Sequence, residues 1–260
     1  SMFAVPTQDL RTLHLTNFST PLPQVRRLAK ALRSVAIVSL TGSIPDGLVQ
    51  LLPGVDFLEV IKLAEDHPSI NTKGAKFPHL EHLDFERSDL SVLDLLRTSP
   101  PPPHLFTLTV KTASPDFINM LGPLLPNLPS LRLLTIFGGT PSEPLSDEFY
   151  SSIRQTQVYK LITNHWPPAK LIAHLPPTIH ELYFMPIYEL YVTDDASLDL
   201  EPFREALRWK EHLPWLRVAY FIVPDFSEDP QMRREMQAIV KQAKGFYFEV
   251  KESKTGWSRV

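Results

Sequence analysis

Phe77-Pro78-His79-Leu80-Glu81-His82-Leu83-Asp84-Phe85-Glu86-Arg87-Ser88-Asp89-Leu90 is the stretch from which the rest of the chain can be read. Its large apolar residues fall as Leu80-x-x-Leu83-x-Phe85, and it closes on Leu90. Leu83 and Phe85 stand two apart, the interval that puts side chains on one side of a strand, so His82, Asp84 and Glu86 point to the other. One side suits a core and the other is on display.

The same spacing recurs as Leu10-x-x-Leu13-x-Leu15, Leu32-x-x-Val35-x-Ile37, Leu58-x-x-Ile61-x-Leu63, Leu105-x-x-Leu108-x-Val110 and Leu131-x-x-Leu134-x-Ile136. With Leu80 included, the first residues are 22, 26, 22, 25 and 26 apart, within the length range of leucine-rich repeats. Val158-x-x-Leu161-x-Thr163, Ile179-x-x-Leu182-x-Phe184, Leu216-x-x-Ala219-x-Phe221 and Phe246-x-Phe248 continue the series less regularly. Pro78, Pro103, Pro129, Pro177 and Pro214 each lie two residues before the first apolar position of a unit. Proline lacks the amide proton and biases its predecessor to extended geometry, so it turns the chain into the strand.

Helical spacing between the strands appears in 24–32, 90–96, 116–121 and 170–175, with longer helices expected in 200–212 and 230–244. A strand with one apolar face is not stable alone, so strand-plus-helix units must stack. The expected fold is an α/β leucine-rich repeat solenoid, a horseshoe with a parallel concave sheet and helices on the convex side. Residues 3–260 form one such domain of about nine or ten irregular repeats. Ser1-Met2 resembles the scar of a cleaved tag, which leaves room for a natural N-terminal region before Phe3.

Composition narrows the function classes. A net charge of -3 without basic runs offers no nucleic-acid footprint and no polybasic membrane patch. The absence of cysteine removes disulfides, thiolate metal ligands and a thiol nucleophile, and favours an intracellular location, in cytoplasm or nucleus. No stretch reaches the roughly 18 apolar residues of a membrane span. Fingerprints of phosphate loops, dinucleotide sites and serine hydrolases are missing, so no cofactor is expected and the chain reads as non-enzymatic. His79-x-x-His82-x-Asp84 is the nearest approach to a metal set, but a fourth ligand is not evident and solvated surface polarity is the better reading.

The displayed positions change character along the chain. Early units show Thr12, His14 and Thr16, then Ser34, Ala36 and Val38, then Val60, Lys62 and Ala64; the fourth shows His82, Asp84 and Glu86, near Glu59 and Glu81. From the sixth unit on they become Leu133, Thr135 and Phe137, then Lys160, Ile162 and Asn164, then Glu181, Tyr183 and Met185, then Val218, Tyr220 and Ile222, with Tyr247 in the last strand. A solvated strand face needs no such residues for folding, so Phe137, Ile162, Tyr183, Met185, Tyr220 and Ile222 form the candidate binding site, with Asp84 and Glu86 as acidic auxiliaries. The alternative is that the 140–152 loop or the 185–200 insertion folds across this face and buries them. An open groove would take a protein or peptide; a closed cavity would take a small apolar ligand.

Leu128-Pro129-Ser130-Leu131, Leu175-Pro176-Pro177 and His212-Leu213-Pro214-Trp215-Leu216, set in irregular repeats, resemble the leucine-rich regions of F-box proteins, particularly the large fungal sets. The resemblance implies a ubiquitin-ligase adaptor whose repeats hold the substrate while an F-box upstream binds the ligase.

Overall fold

A computed structural model describes residues 11–17, 35–42, 48–61, 75–86, 90–98, 100–138, 146–164, 172–185, 200–223 and 230–252. Ten strands form one sheet: β1 (Thr12–Thr16), β2 (Ile37–Thr41), β3 (Phe57–Ile61), β4 (His82–Glu86), β5 (Thr107–Ala113), β6 (Leu133–Gly138), β7 (Lys160–Thr163), β8 (Glu181–Phe184), β9 (Val218–Val223) and β10 (Tyr247–Glu252). They stand in chain order, β1 to β10, and every pairing is parallel. Parallel neighbours need a crossover between them, and one crossover repeated in one direction lays the strands down in sequence order.

The first apolar residue of a unit is buried before the strand begins, as at Leu80, Leu105, Leu131, Val158, Ile179 and Leu216. Turns deliver the chain to that point. The N–H of Leu80 donates to the Phe77 carbonyl, and those of Leu105, Leu131, Ile179 and Leu216 donate to Pro102, Leu128, Pro176 and Leu213. Pro78, Pro103, Pro129, Pro177 and Pro214 therefore occupy the second position of four-residue turns, where the fixed proline φ is already correct and no amide proton is missed.

Leu83, Phe85, Leu108, Val110, Leu134 and Ile136 are buried in one continuous core, as the alternation requires. Each fully buried side chain of this size is worth about 1.5–3 kcal/mol relative to exposure. The helices pack on this side. Helix α1 (Pro115–Leu121) is capped by Ser114, whose Oγ accepts from the Phe117 N–H at 3.2 Å, and α2 (Asp147–Arg154) is capped by Ser146 in the same way at 3.1 Å. Phe117 meets Phe85 edge-on with ring centres 6.3 Å apart. Gly122 lets α2 come close, since a Cβ there would lie 3.0 Å from the Phe149 backbone.

The segment 90–96 is a 3-10 helix, Leu90–Leu95. The stretch 200–212 breaks into α3 (Glu201–Ala206) and α4 (Trp209–His212), and α5 (Pro230–Gln242) ends before Gly245, whose φ of 80° suits a helix stop. Phe203 of α3 and Trp209 of α4 close on Phe221 and Phe184, which stack at 5.1 Å, so the C-terminal core is aromatic. The expected helix 24–32 and the start of 170–175 lie outside the described residues.

Two units sit in a different frame from the sequence reading. Val38 and Leu40 of β2 pair with Leu58 and Val60 of β3, and these with Leu83 and Phe85. The second and third units are thus Val35-x-x-Val38-x-Leu40 and Val55-x-x-Leu58-x-Val60, three residues off the expected frames. Val38 is core rather than displayed, and Ile37 is 41% exposed rather than buried. Among the described residues no helix is long and apolar enough to cross a membrane.

Candidate functional site

The face opposite the core is organised in rows, because register sets equivalent residues side by side at about 4.8 Å. One row runs His14, Ser39, Glu59, Asp84, Thr109, Thr135, Ile162, Tyr183, Tyr220, Glu249. Asp84, Thr109 and Thr135 are neighbours as the repeat frame demands, but the place expected for Lys62 belongs to Glu59, and Lys62 lies outside the described residues. An expected cation is replaced by a second carboxylate.

That exchange shapes the N-terminal half. Glu59 accepts from Ser39 Oγ at 2.6 Å, and Asp84 Oδ2 pairs with Lys111 Nζ at 2.9 Å across β4 and β5. Asp84 Oδ1 is buried and, among the described residues, has no hydrogen-bond partner. Burial pushes the Asp84 carboxyl above the ordinary carboxylate value; Lys111 opposes this, and Glu59 and Glu86 add to it. Burial also works against the Lys111 ammonium, but Asp84, Glu86 and Glu59 outweigh it and raise its pKa. Glu86 stands opposite Lys111 in register, so Asp84 and Glu86 border one cation. His82 lies against the Phe57 ring at 6.1 Å, and among the described residues no group of three or more metal-ligating side chains is placed to hold an ion.

In the C-terminal half, Ile162, Tyr183 and Tyr220 are consecutive in the row and half-buried. The rings of Tyr183 and Tyr220 lie 5.5 Å apart. Phe137, Met185 and Ile222 come one position after the core residues Ile136, Phe184 and Phe221, also half-buried, and border the row on one side. On the other side Lys160 pairs with Glu181 at 3.0 Å and lies over the Tyr183 ring at 4.4 Å, while Tyr183 OH donates to Glu181 at 3.3 Å. Burial lowers the Lys160 pKa, but Glu181 and Tyr183 reverse it, so the ammonium stays charged. Tyr220 is held protonated by burial and then by Glu249; Tyr247 is held so first by donating to Glu249 at 2.7 Å. The chemistry on offer is aromatic surface with phenolic oxygens and a polar border.

Of the expected covering segments, 147–154 is α2, whose Phe149, Tyr150 and Ile153 are buried in the helix layer on the core side. The remainder of that loop, 140–145, and the 186–199 insertion lie outside the described residues.

A third feature escaped sequence reasoning. Along the edge where the chain enters the sheet, each carbonyl of Ala36, Asp56, Glu81, Phe106, Arg132, Tyr159 and His180 accepts two successive N–H groups from the next unit. This ladder makes Phe106, Arg132, Tyr159, His180 and Arg217 a row of their own. Phe106 and Tyr159 rings lie 6.4 Å apart, Tyr159 and His180 6.3 Å, and His180 stacks with Trp215, which is 61% exposed. A cavity of about 390 Å³ opens there, lined by Arg132, Gln157, Tyr159, Thr178, His180, Glu181 and Arg217. The signal was present in the sequence: the residue after the first apolar position is aromatic or basic in five successive units.

Comparison with known proteins finds no family model that matches the chain, and no curated protein matches it in sequence.

Proposed function

We propose that this chain is a recognition module, a leucine-rich repeat solenoid that binds a protein or peptide on a concave sheet face and carries out no catalysis. The observation that carries the reading is the consecutive placement of Ile162, Tyr183 and Tyr220 on the face opposite the core, with two tyrosine rings in contact. Large aromatic side chains with hydroxyl handles are the residue types that dominate binding hot spots. Phe137, Met185 and Ile222 widen the apolar surface, and the acidic half, with Asp84 and Glu86, steers basic partners. The F-box resemblance extends the proposal: the bound partner is a substrate for ubiquitination, and an F-box in the same natural protein is the feature to seek.

The test uses peptides selected from a display library against the whole chain. Tyr183→Ala combined with Tyr220→Ala is expected to weaken the selected binders by about 2 kcal/mol or more, with the melting temperature nearly unchanged. Unfolding of the double variant would assign both tyrosines to a covered core, and unchanged binding would place the site elsewhere. Selection of small apolar compounds in preference to any peptide would favour a ligand receptor.

A further inference from the structure

We propose that the entrance edge of β6 to β9 is a second binding site, which takes an extended acidic peptide through Arg132 and Arg217. The proposal goes beyond the open-face reading and uses none of its aromatic residues. Three strand steps separate Arg132 from Arg217, which is about 14 Å. Both line one cavity, with Tyr159 and His180 between them. An extended peptide advances about 3.4 Å per residue and turns alternate side chains to one side, so residues four apart point the same way and span the same ~14 Å. Acids at those two positions meet the two guanidiniums, and the residue midway lies over the Tyr159 and His180 rings.

The local polar groups agree with this occupant. Arg217 is exposed and has no side-chain partner among the described residues, so its five donors are available. Arg132 commits one nitrogen to the carbonyls of Pro129 and Leu131, at 2.9 Å each, which fixes the guanidinium beside the turn. The carboxylate on the cavity wall, Glu181, is already paired with Lys160 and leaves the two arginines as the dominant charges. His180 Nδ1 lies 2.7 Å from the Thr178 carbonyl, to which it donates, and this bond holds the ring in place in the cavity lining. Guanidinium forks recognise carboxylate and phosphoryl oxygens by the same paired geometry, so the shared chemistry is an oxyanion on a peptide.

The experiment is calorimetric titration of the whole chain with the peptide Glu-Thr-Val-Thr-Glu, blocked at both ends. Controls are an isomer with adjacent glutamates and a version with phosphoserine in place of each glutamate. Saturable binding is expected that weakens on the order of tenfold for Arg217→Gln and for the adjacent isomer, and that falls as salt rises. Arg217→Lys should recover only part of the loss, because an ammonium cannot form the paired contact. The phosphoserine version decides which oxyanion is preferred. Tyr183→Ala with Tyr220→Ala should leave this binding unchanged, which separates failure here from failure of the open-face reading. Absence of saturable binding by both peptides, or equal affinity for the two isomers, or an Arg217→Gln variant that binds like the parent, would overturn the proposal.

Discussion

At the row position between the two core residues of each strand, β3 and β4 carry Glu59 and Asp84, while β8 and β9 carry Tyr183 and Tyr220. Beneath them the core positions are similar: Leu58 and Leu83 in the first pair, Leu182 and Ala219 in the second, all buried. Similar core positions therefore accept different residues in the row above them. Two carboxylates one strand apart even work against folding, since like charges directly opposite destabilise a sheet. Lys111 offsets this in part. The difference teaches that one face carries two electrostatic regimes, a half with adjacent carboxylates around Lys111 and a half with adjacent tyrosine rings.

If the halves differ only in their display, truncation of the core should hurt both equally. Leu83→Ala beneath the acidic half and Leu161→Ala beneath the aromatic half should each cost about 2–5 kcal/mol in denaturant melts. A loss below about 1 kcal/mol in either would mean that its strand frame is wrong.

Removal of the cation should separate the halves. Lys111→Met removes the cation paired with Asp84 and leaves that carboxylate beside Glu59 and Glu86, whereas Lys160→Met leaves Glu181 with the Tyr183 hydroxyl. The Lys111 and Asp84 side chains are 38% and 17% exposed, so solvent screening limits the loss to about 1 kcal/mol, against roughly 0.5 kcal/mol for Lys160→Met. Equal losses in chemical denaturation would show that charge crowding does not distinguish the regions.

The smallest effect carries the opposite sign. The folded state holds the Asp84 proton more tightly than the unfolded chain does, mainly through burial. The stability this adds is complete below the unfolded carboxylate value of about 4 and is lost as pH rises through the higher folded value. At neutral pH the ionised group is a net cost. Asp84→Asn should therefore melt slightly above the parent near neutral pH, and the gain should vanish as acid protonates the parent. A lower melting temperature at neutral pH would show that the Lys111 pairing outweighs burial.

Much of this was legible in the chain itself. Alternation placed Leu108, Leu134, Leu161, Leu182 and Phe221 inward and Ile162, Tyr183 and Tyr220 outward, because a strand has a side-chain period of two whatever surrounds it. Proline marked the turns for the same local reason. The frames of the second and third units were different. Leu32-x-x-Val35-x-Ile37 and Val35-x-x-Val38-x-Leu40 satisfy one pattern with overlapping residues, as do Leu58-x-x-Ile61-x-Leu63 and Val55-x-x-Leu58-x-Val60. Pro53, two residues before Val55, carried the mark that selects the second frame. Hydrogen bonds to the neighbouring strands decide between such frames, since a three-residue slip exchanges the buried and displayed faces. Only the tertiary structure set Glu59 beside Asp84 and gathered Arg132, Tyr159, His180 and Arg217 along one edge. Those residues lie more than twenty positions apart in the chain, and stacking alone brings them together.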